Sequence, residues 1–424
     1  MSRADLQPVS GLPLAYFLLA HASLACALLL LVINPDLPAG FFLHPRMVAV
    51  VHLVTLAWIS GSILGAFYVV APLALGMPLP VGRGDWVGFG SFAIGVSGMI
   101  SHFWMGEYNG MAWSAGMVIV PIAWLGARAG RSFTRARVPW PVMLHVALAF
   151  GNILAAAALG AWLGLARAFG WTTPGVSPFA TVFAHAHIAA VGWALMMIVG
   201  LAYRLLPMFL PAKPPTGGGL AASAVLIELG LVAVVAGLVW DGAWLTPGAL
   251  AIAAGLVAFV RNVRSMLAHR VPRPPALPRR DWSTWQVHGA LMWLAIAVAL
   301  GLWLTVTPAG PRQIAAAWTY GVAGLLGGLS QMVTGMQGRL LPLYAYYRAM
   351  DARGGAPPER AANALPSARF AFAIFVCWSV SVPWLAWGLA NNAHGSIRSS
   401  SVVLLVGVLT GAAYMRHLMR SAGR

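Results

Sequence analysis

Two histidines lie two residues apart inside a long apolar run: His185 and His187 in FAHAHIAAVGWALMMIVGLAYRLLPMF, residues 183–209. Each residue of a helix turns by about 100°, so two such rings leave their helix on nearly opposite faces and one helix can serve two sites. An imidazole at membrane depth is costly unless it is hydrogen-bonded or metal-bound, and ionisable groups there mark function by default. The plain alternative is a structural pair satisfied by backbone carbonyls. Three further residues belong with them: His52 in VVHLVTLAW, His102 in SGMISHFWMGEY and Tyr320 in WTYGVAG. Neutral imidazoles in an acid-poor layer suit transition-metal or haem iron, whereas hard cations want oxygen ligands. Haem, of the b type, is the expected cofactor. Gly61, Gly65, Ala190 and Gly192 would open a slot between helices for it, and Trp58 and Trp193 would line that slot.

The composition says what holds these residues. Of 424 residues, 60% are hydrophobic and 8% charged, with a mean hydropathy of +0.80, which defines a polytopic membrane protein. The net charge of +17 comes from basic residues confined to short loops, so it signals topology and excludes a nucleic-acid partner. Cys26 and Cys377 lie in apolar runs without C-x-x-C or C-x-x-C-H spacing, which argues against zinc ribbons, covalent haem attachment and a disulfide framework. Residues 1–11 are polar and the following run has no small-residue cleavage site, so an uncleaved first span is expected.

Apolar windows of about 20 residues, the length that crosses a hydrocarbon core, occur near 11–34, 46–76, 87–107, 110–128, 139–168, 178–211, 217–240, 243–268, 283–307, 312–347, 367–392 and 399–418. Twelve spans place both termini on the cytoplasmic side. Only Arg46, Arg167, Arg312 and Arg398 of the 26 Lys and Arg residues then fall outside, as the positive-inside rule requires. The linkers 268–282 and 348–368, rich in Pro, Arg and Ala, read as solvated cytoplasmic loops.

The twelve spans also repeat. GAFYVVAPLAL at 65–75, GLAYRLLPMFL at 200–210 and GMQGRLLPLYA at 335–345 align, with Gly65, Gly200 and Gly335 and then Pro72, Pro207 and Pro342 each 135 residues apart. The expected fold is one all-α membrane domain of three parallel four-helix repeats, about 1–138, 139–282 and 283–424, in a pseudo-threefold arrangement. Spans 1, 5 and 9 each carry a histidine, His21, His145 and His288, of which the last two read as structural. In the repeat register His52 matches His187, and His185 matches Val50 and Tyr320. Equivalent residues in a ring face successive gaps, so the ring predicts His52 and His185 as the axial pair of a low-spin haem. His187 then faces Tyr320, with His102 at the same level. Arg204 and Arg339, at the inner ends of spans 6 and 10, are expected to reach lipid phosphates.

With these residues in hand, the chain resembles subunit I of the haem–copper oxidase superfamily, including its cbb3-type and nitric-oxide-reductase branches. AHAHIAAVGWALMMIVGLAYRLLPMF is similar to the family's H-x-H helix, whose histidines bind a high-spin and a low-spin haem. VVHLVTLAWISGSILGAFYVVAPLALG is similar to the helix that supplies the other low-spin ligand. The resemblance implies an inner-membrane protein of electron transport or diatomic gas handling (nitric oxide or oxygen), served by a cytochrome c or quinol donor and by small membrane subunits. The chain departs from the family where copper would sit: span 7, GGGLAASAVLIELGLVAVVAGLVW, has no histidine, and span 10 has no H-x-H. Haem without copper is therefore expected. An active terminal oxidase or nitric oxide reductase subunit whose second metal uses residues such as His102 is the alternative. A haem or copper transport or assembly factor is another, and a transporter without cofactor the last.

Overall fold

Long runs of Leu, Ala, Val and Gly wind into helices because no water competes for their backbone groups in an apolar solvent. The computed structural model describes residues 7–40, 42–136, 138–173, 175–209, 212–215, 217–269 and 281–423. Among them no strand occurs, and long helices follow one another: α1 (Leu12–Ile33), α2 (Pro45–Leu75), α3 (Arg83–Met105), α4 (Met111–Ser132), α5 (Trp140–Phe169), α6 (Pro178–Phe209), α7 (Gly219–Val239), α8 (Leu245–Ala268), α9 (Trp282–Val306), α10 (311–352), α11 (Ala368–Ala390) and α12 (His394–Gly423). Most of linker 268–282, namely 270–280, lies outside the described residues, as do Arg3 and Arg137.

Ten of these helices are long and apolar enough to cross a membrane. The two that fall short were both read as spans from sequence. Helix α3 opens on Arg83 and Asp85 and is dotted with glycine, and α10 carries Gln331, Thr334, Gln337 and Arg339 within one stretch. Large apolar side chains cover outward faces, among them Leu229, Val257 and Val406, and exposed tryptophans such as Trp113, Trp140 and Trp240 stand at helix ends. That is the surface of a multi-pass membrane protein with aromatic anchors at the headgroup level.

Local chemistry sets the helix limits. Prolines start α2, α5, α6 and α10 at positions where their missing N–H costs nothing. Gly106 and Gly170 end α3 and α5 in the left-handed conformation. The carboxylate of Asp281 caps α9 by accepting from the Ser283 N–H at 3.2 Å.

Helices α2, α6 and α10 share a further feature. Each contains eight residues of π-helix, Leu53–Ser60, Ile188–Leu195 and Ala323–Ser330. These segments begin 135 residues apart, the interval of the glycines and prolines. At their ends the N–H groups of Gly61, Met196 and Gln331 reach back five residues, to the carbonyls of Leu56, Val191 and Leu326. Ser60 and Ser330 turn their hydroxyls onto the carbonyls of Thr55 and Leu325, also five residues back. Wide turns of this kind occur mostly as single insertions in α-helices and concentrate at functional sites.

The helices form two compact units. Unit 1 comprises residues Met1–Val69, Pro274–Leu300 and Thr307–Arg424, and unit 2 comprises Val70–Arg273 and Gly301–Val306. These boundaries cut across the repeat intervals of the sequence. In unit 1, α1 packs on α12 and on the π turn of α2, which also touches the π turn of α10. Its centre is aromatic: Trp58 stacks on Trp378 at 6.5 Å and meets His21 edge to face at 5.0 Å. In unit 2, α7 and α8 form a tight hairpin in which Gly230 and Gly248 let backbones touch, since a Cβ on Gly248 would lie 2.7 Å from the Val234 nitrogen.

Candidate functional site

His52 and His187 are held in the same way. Each is the last α-helical residue before a π turn. The Nδ1–H of His52 donates to the Val48 carbonyl at 2.9 Å, and that of His187 to the Phe183 carbonyl at 2.8 Å. Fixing the proton on Nδ1 orients the ring and makes Nε2 the lone-pair nitrogen, the form of imidazole that ligates a metal. His21 and His145 make the same bond, to Phe17 at 2.8 Å and Pro141 at 2.7 Å, so the lock alone does not distinguish a ligand. What sets His52 and His187 apart is their place at the mouth of a π turn.

His185 is anchored differently. Its Nδ1–H donates across to the Ala156 carbonyl of α5 at 2.9 Å, and a Cβ on Gly160 would lie 2.9 Å from its Cε1, so the ring fits where α5 has no side chain. Tyr320 stands three residues before the third π turn, at the place His185 holds before the second. His102 lies at the end of α3, where its Nδ1–H donates to the Glu107 carbonyl at 2.8 Å and its other edge packs against Gly110. It staples the α3–α4 turn.

Among the described residues no three His, Cys, Asp or Glu side chains gather as a metal site. A bare-ion centre therefore has no ligand set among them, whereas a haem needs only one or two axial imidazoles and an apolar slot.

Of the other polar groups, Ser223, Tyr203, Asn262, Asn152 and Asp85 carried no signal in the sequence. In unit 2, His145 meets Ser223 (3.0 Å), Ser223 meets Tyr203 (2.9 Å), and Asn262 donates to Tyr203 (3.0 Å). This buried chain uses both ring nitrogens of His145. Asn152 donates to the Glu228 carboxylate at 2.8 Å, so the acid of α7 has an amide partner. Asp85, almost wholly buried, pairs with Arg128. Arg339 forms an ion pair with Asp281 and donates to Thr284, and Arg204 donates its Nε–H to the Ala74 carbonyl at 3.0 Å. Protein groups thus hold both arginines that were expected to reach lipid phosphates. His288 lies exposed on α9 beside Trp285.

In unit 1 a cavity of about 30 Å³ opens between α1, α9, α10, α11 and α12, with His21, Ser283, Gln286, Thr334, Gln337 and Tyr414 among its walls. Gln286 is 2% exposed, and neither its amide oxygen nor its nitrogen has a hydrogen-bond partner. A glutamine within an apolar run carries little signal by itself; the signal was its position three residues after Ser283, on the same helix face.

No family model matches the chain, and no curated protein matches it.

Proposed function

We propose that this chain is a haem-binding integral membrane protein of the haem–copper oxidase subunit I type, working in electron transfer or in the handling of a diatomic gas. The observation that carries the reading is the coincidence of His52 and His187: two Nδ1-locked imidazoles, each at the mouth of a π turn, at matching positions of α2 and α6. We assign each as a residue that would hold haem iron through its Nε2. Bound haem supplies a one-electron ferric–ferrous couple. The chain's part is to hold each ring in its lone-pair tautomer and to surround the iron with apolar side chains. His185, anchored on α5, would hold a second haem, with Tyr320 and His102 as the further candidates.

The same reading takes α3 and α10 as membrane-spanning, which gives twelve crossings, cytoplasmic termini and three parallel repeats in an inner membrane. The equal intervals of glycine, proline and π turn support it. A cytochrome c or quinol is the donor that fits such a role. Thiol labelling of single cysteines placed at 131–136 and 351–360 tests the topology: they should stay silent to an impermeant reagent from outside, and labelling there would reverse it.

A reduced-minus-oxidised optical spectrum of the purified protein tests for haem directly. His52→Ala, His185→Ala and His187→Ala should each weaken the haem signal, and a signal unchanged in all three would remove the assignment. A spectrum without haem bands from protein produced with haem in excess would overturn the function.

A further inference from the structure

Glu228 stands tenth in the 21-residue helix α7, about 14 Å from the nearer end at 1.5 Å per residue. It is the one titratable side chain on that helix. Val225, three residues before it, and Val232, four after, share its face and lie exposed among the lipid-facing side chains. Ile227 and Leu231 turn inward. The half-buried carboxyl therefore sits at the seam between hydrocarbon and protein. A charged carboxylate at that depth is costly unless a cation or several donors meet it. Asp85 pairs with Arg128 and Asp281 with Arg339, but among the described residues no arginine or lysine pairs with Glu228.

The helices packed on α7 supply one partner. Residues 245–260 of α8, the other arm of the hairpin, hold no titratable group. On α5, His145 lies two turns from Asn152 and has both ring nitrogens engaged. On α6, His185 is tied to Ala156, His187 to Phe183, Tyr203 to Ser223 and Arg204 to Ala74. Asp241, beyond the outer end of α7, caps the turn that follows. What meets Glu228 is the Asn152 amide, which donates to Oε2 at 2.8 Å. Asn152 is itself held against the π turn of α6, where a Cβ on Gly192 would lie 2.6 Å from its Cγ. We propose that Glu228 is a reversible proton-binding site within the membrane, with Asn152 as its positioning residue. An arginine would lock the carboxylate in its charged form, whereas an amide can accompany the acid in either state. With the proton on Oε1, the Asn152 N–H meets Oε2; when the proton leaves, the same N–H holds the carboxylate. The site lies wholly in unit 2 and is independent of the haem reading.

Carbodiimides test this, because they add to a carboxyl that brings its proton. The proton passes to a carbodiimide nitrogen, the carboxyl oxygen bonds to the central carbon, and acyl migration leaves a stable N-acylurea with nothing expelled. The full-length protein in nanodiscs is treated with dicyclohexylcarbodiimide, which partitions into hydrocarbon, or with a cationic water-soluble carbodiimide, and the adducts are mapped by peptide mass spectrometry. The hydrophobic reagent should modify Glu228 at neutral pH and progressively less as the medium is made alkaline, and Glu228→Gln should remove that adduct. At mildly acid pH the water-soluble reagent should spare Glu228 while modifying Glu107, exposed in the turn after α3. Asn152→Leu should carry the Glu228 adduct to higher pH, because the ionised form loses its donor; an unchanged pH profile there would remove the role of Asn152. No adduct at Glu228 at any pH, a yield that does not change with pH, or equal reaction of Glu228 and Glu107 with the water-soluble reagent would each overturn the proposal.

Discussion

The two units solve the same problem in different ways. In each, a glycine two-thirds of the way along a π-turn helix lets a neighbouring helix come close: Gly200 of α6 against His145 and Val142 of α5, and Gly335 of α10 against Ser283 and Val287 of α9. Polar groups gather below both crossings. In unit 2 they close on themselves, from Asn262 through Tyr203 and Ser223 to His145 and the Pro141 carbonyl, every step 2.7 to 3.0 Å. In unit 1 the corresponding level carries Gln286, and the circuit stays open. A serine hydroxyl stands between an imidazole and a phenol because it both gives and takes; the Gln286 amide could do the same but meets no partner. A closed network fixes helices.

Substitutions should reveal this contrast, beginning with the largest effect. Gly200→Ala would drive a methyl to 2.4 Å from the His145 Cβ, parting α5 from α6 at a cost of up to about 3 kcal/mol. Thermal unfolding in nanodiscs should show a large fall, and a near-wild-type midpoint would mean the crossing is loose. Ser223→Ala removes the fully buried hub of the closed network. It should cost about 2 kcal/mol by leaving Tyr203 and His145 unmet, with a clear drop in unfolding temperature. If Ser223→Ala proves milder than Gln286→Leu, the distinction between closed and open networks fails. The smallest effect belongs to Gln337→Leu, which breaks one bond to Ser62. About 1 kcal/mol is expected, read as a slight shift in midpoint.

Much of the framework could be read from sequence because its signals are compositional. Apolar length marks the helices, and Gly65, Gly200, Gly335 and their prolines mark α2, α6 and α10 as kin. His52 and His187 stood out as polar rings in apolar runs. Bonds reaching five residues back have no preferred residue type, so the π turns that follow these histidines left no trace. The histidines of spans 1, 5 and 9 are not equivalent in the structure. The residue that meets the glycine is Tyr16 in α1, His145 in α5 and Val287 in α9; His21 lies more than a turn further on, and His288 faces outward. Each of the three spans carries a histidine, but packing against glycine, which depends on helix register, puts only one of them at the crossing. Gln286 escaped notice because an amide is informative only when its neighbours are known to offer nothing.

A π turn is also a phase shift. Each holds one residue more than α winding would, and one residue is worth about 100° of rotation. The histidine end of α2 is thereby rotated against its glycine–proline end, and likewise in α6. Deleting a single residue from Leu53–Ser60 would relax the winding and swing His52 by about a quarter-turn while Gly65 and Pro72 kept their seats. The aim of the ring is therefore encoded in the length of the helix, and it can be changed without replacing any side chain that touches it.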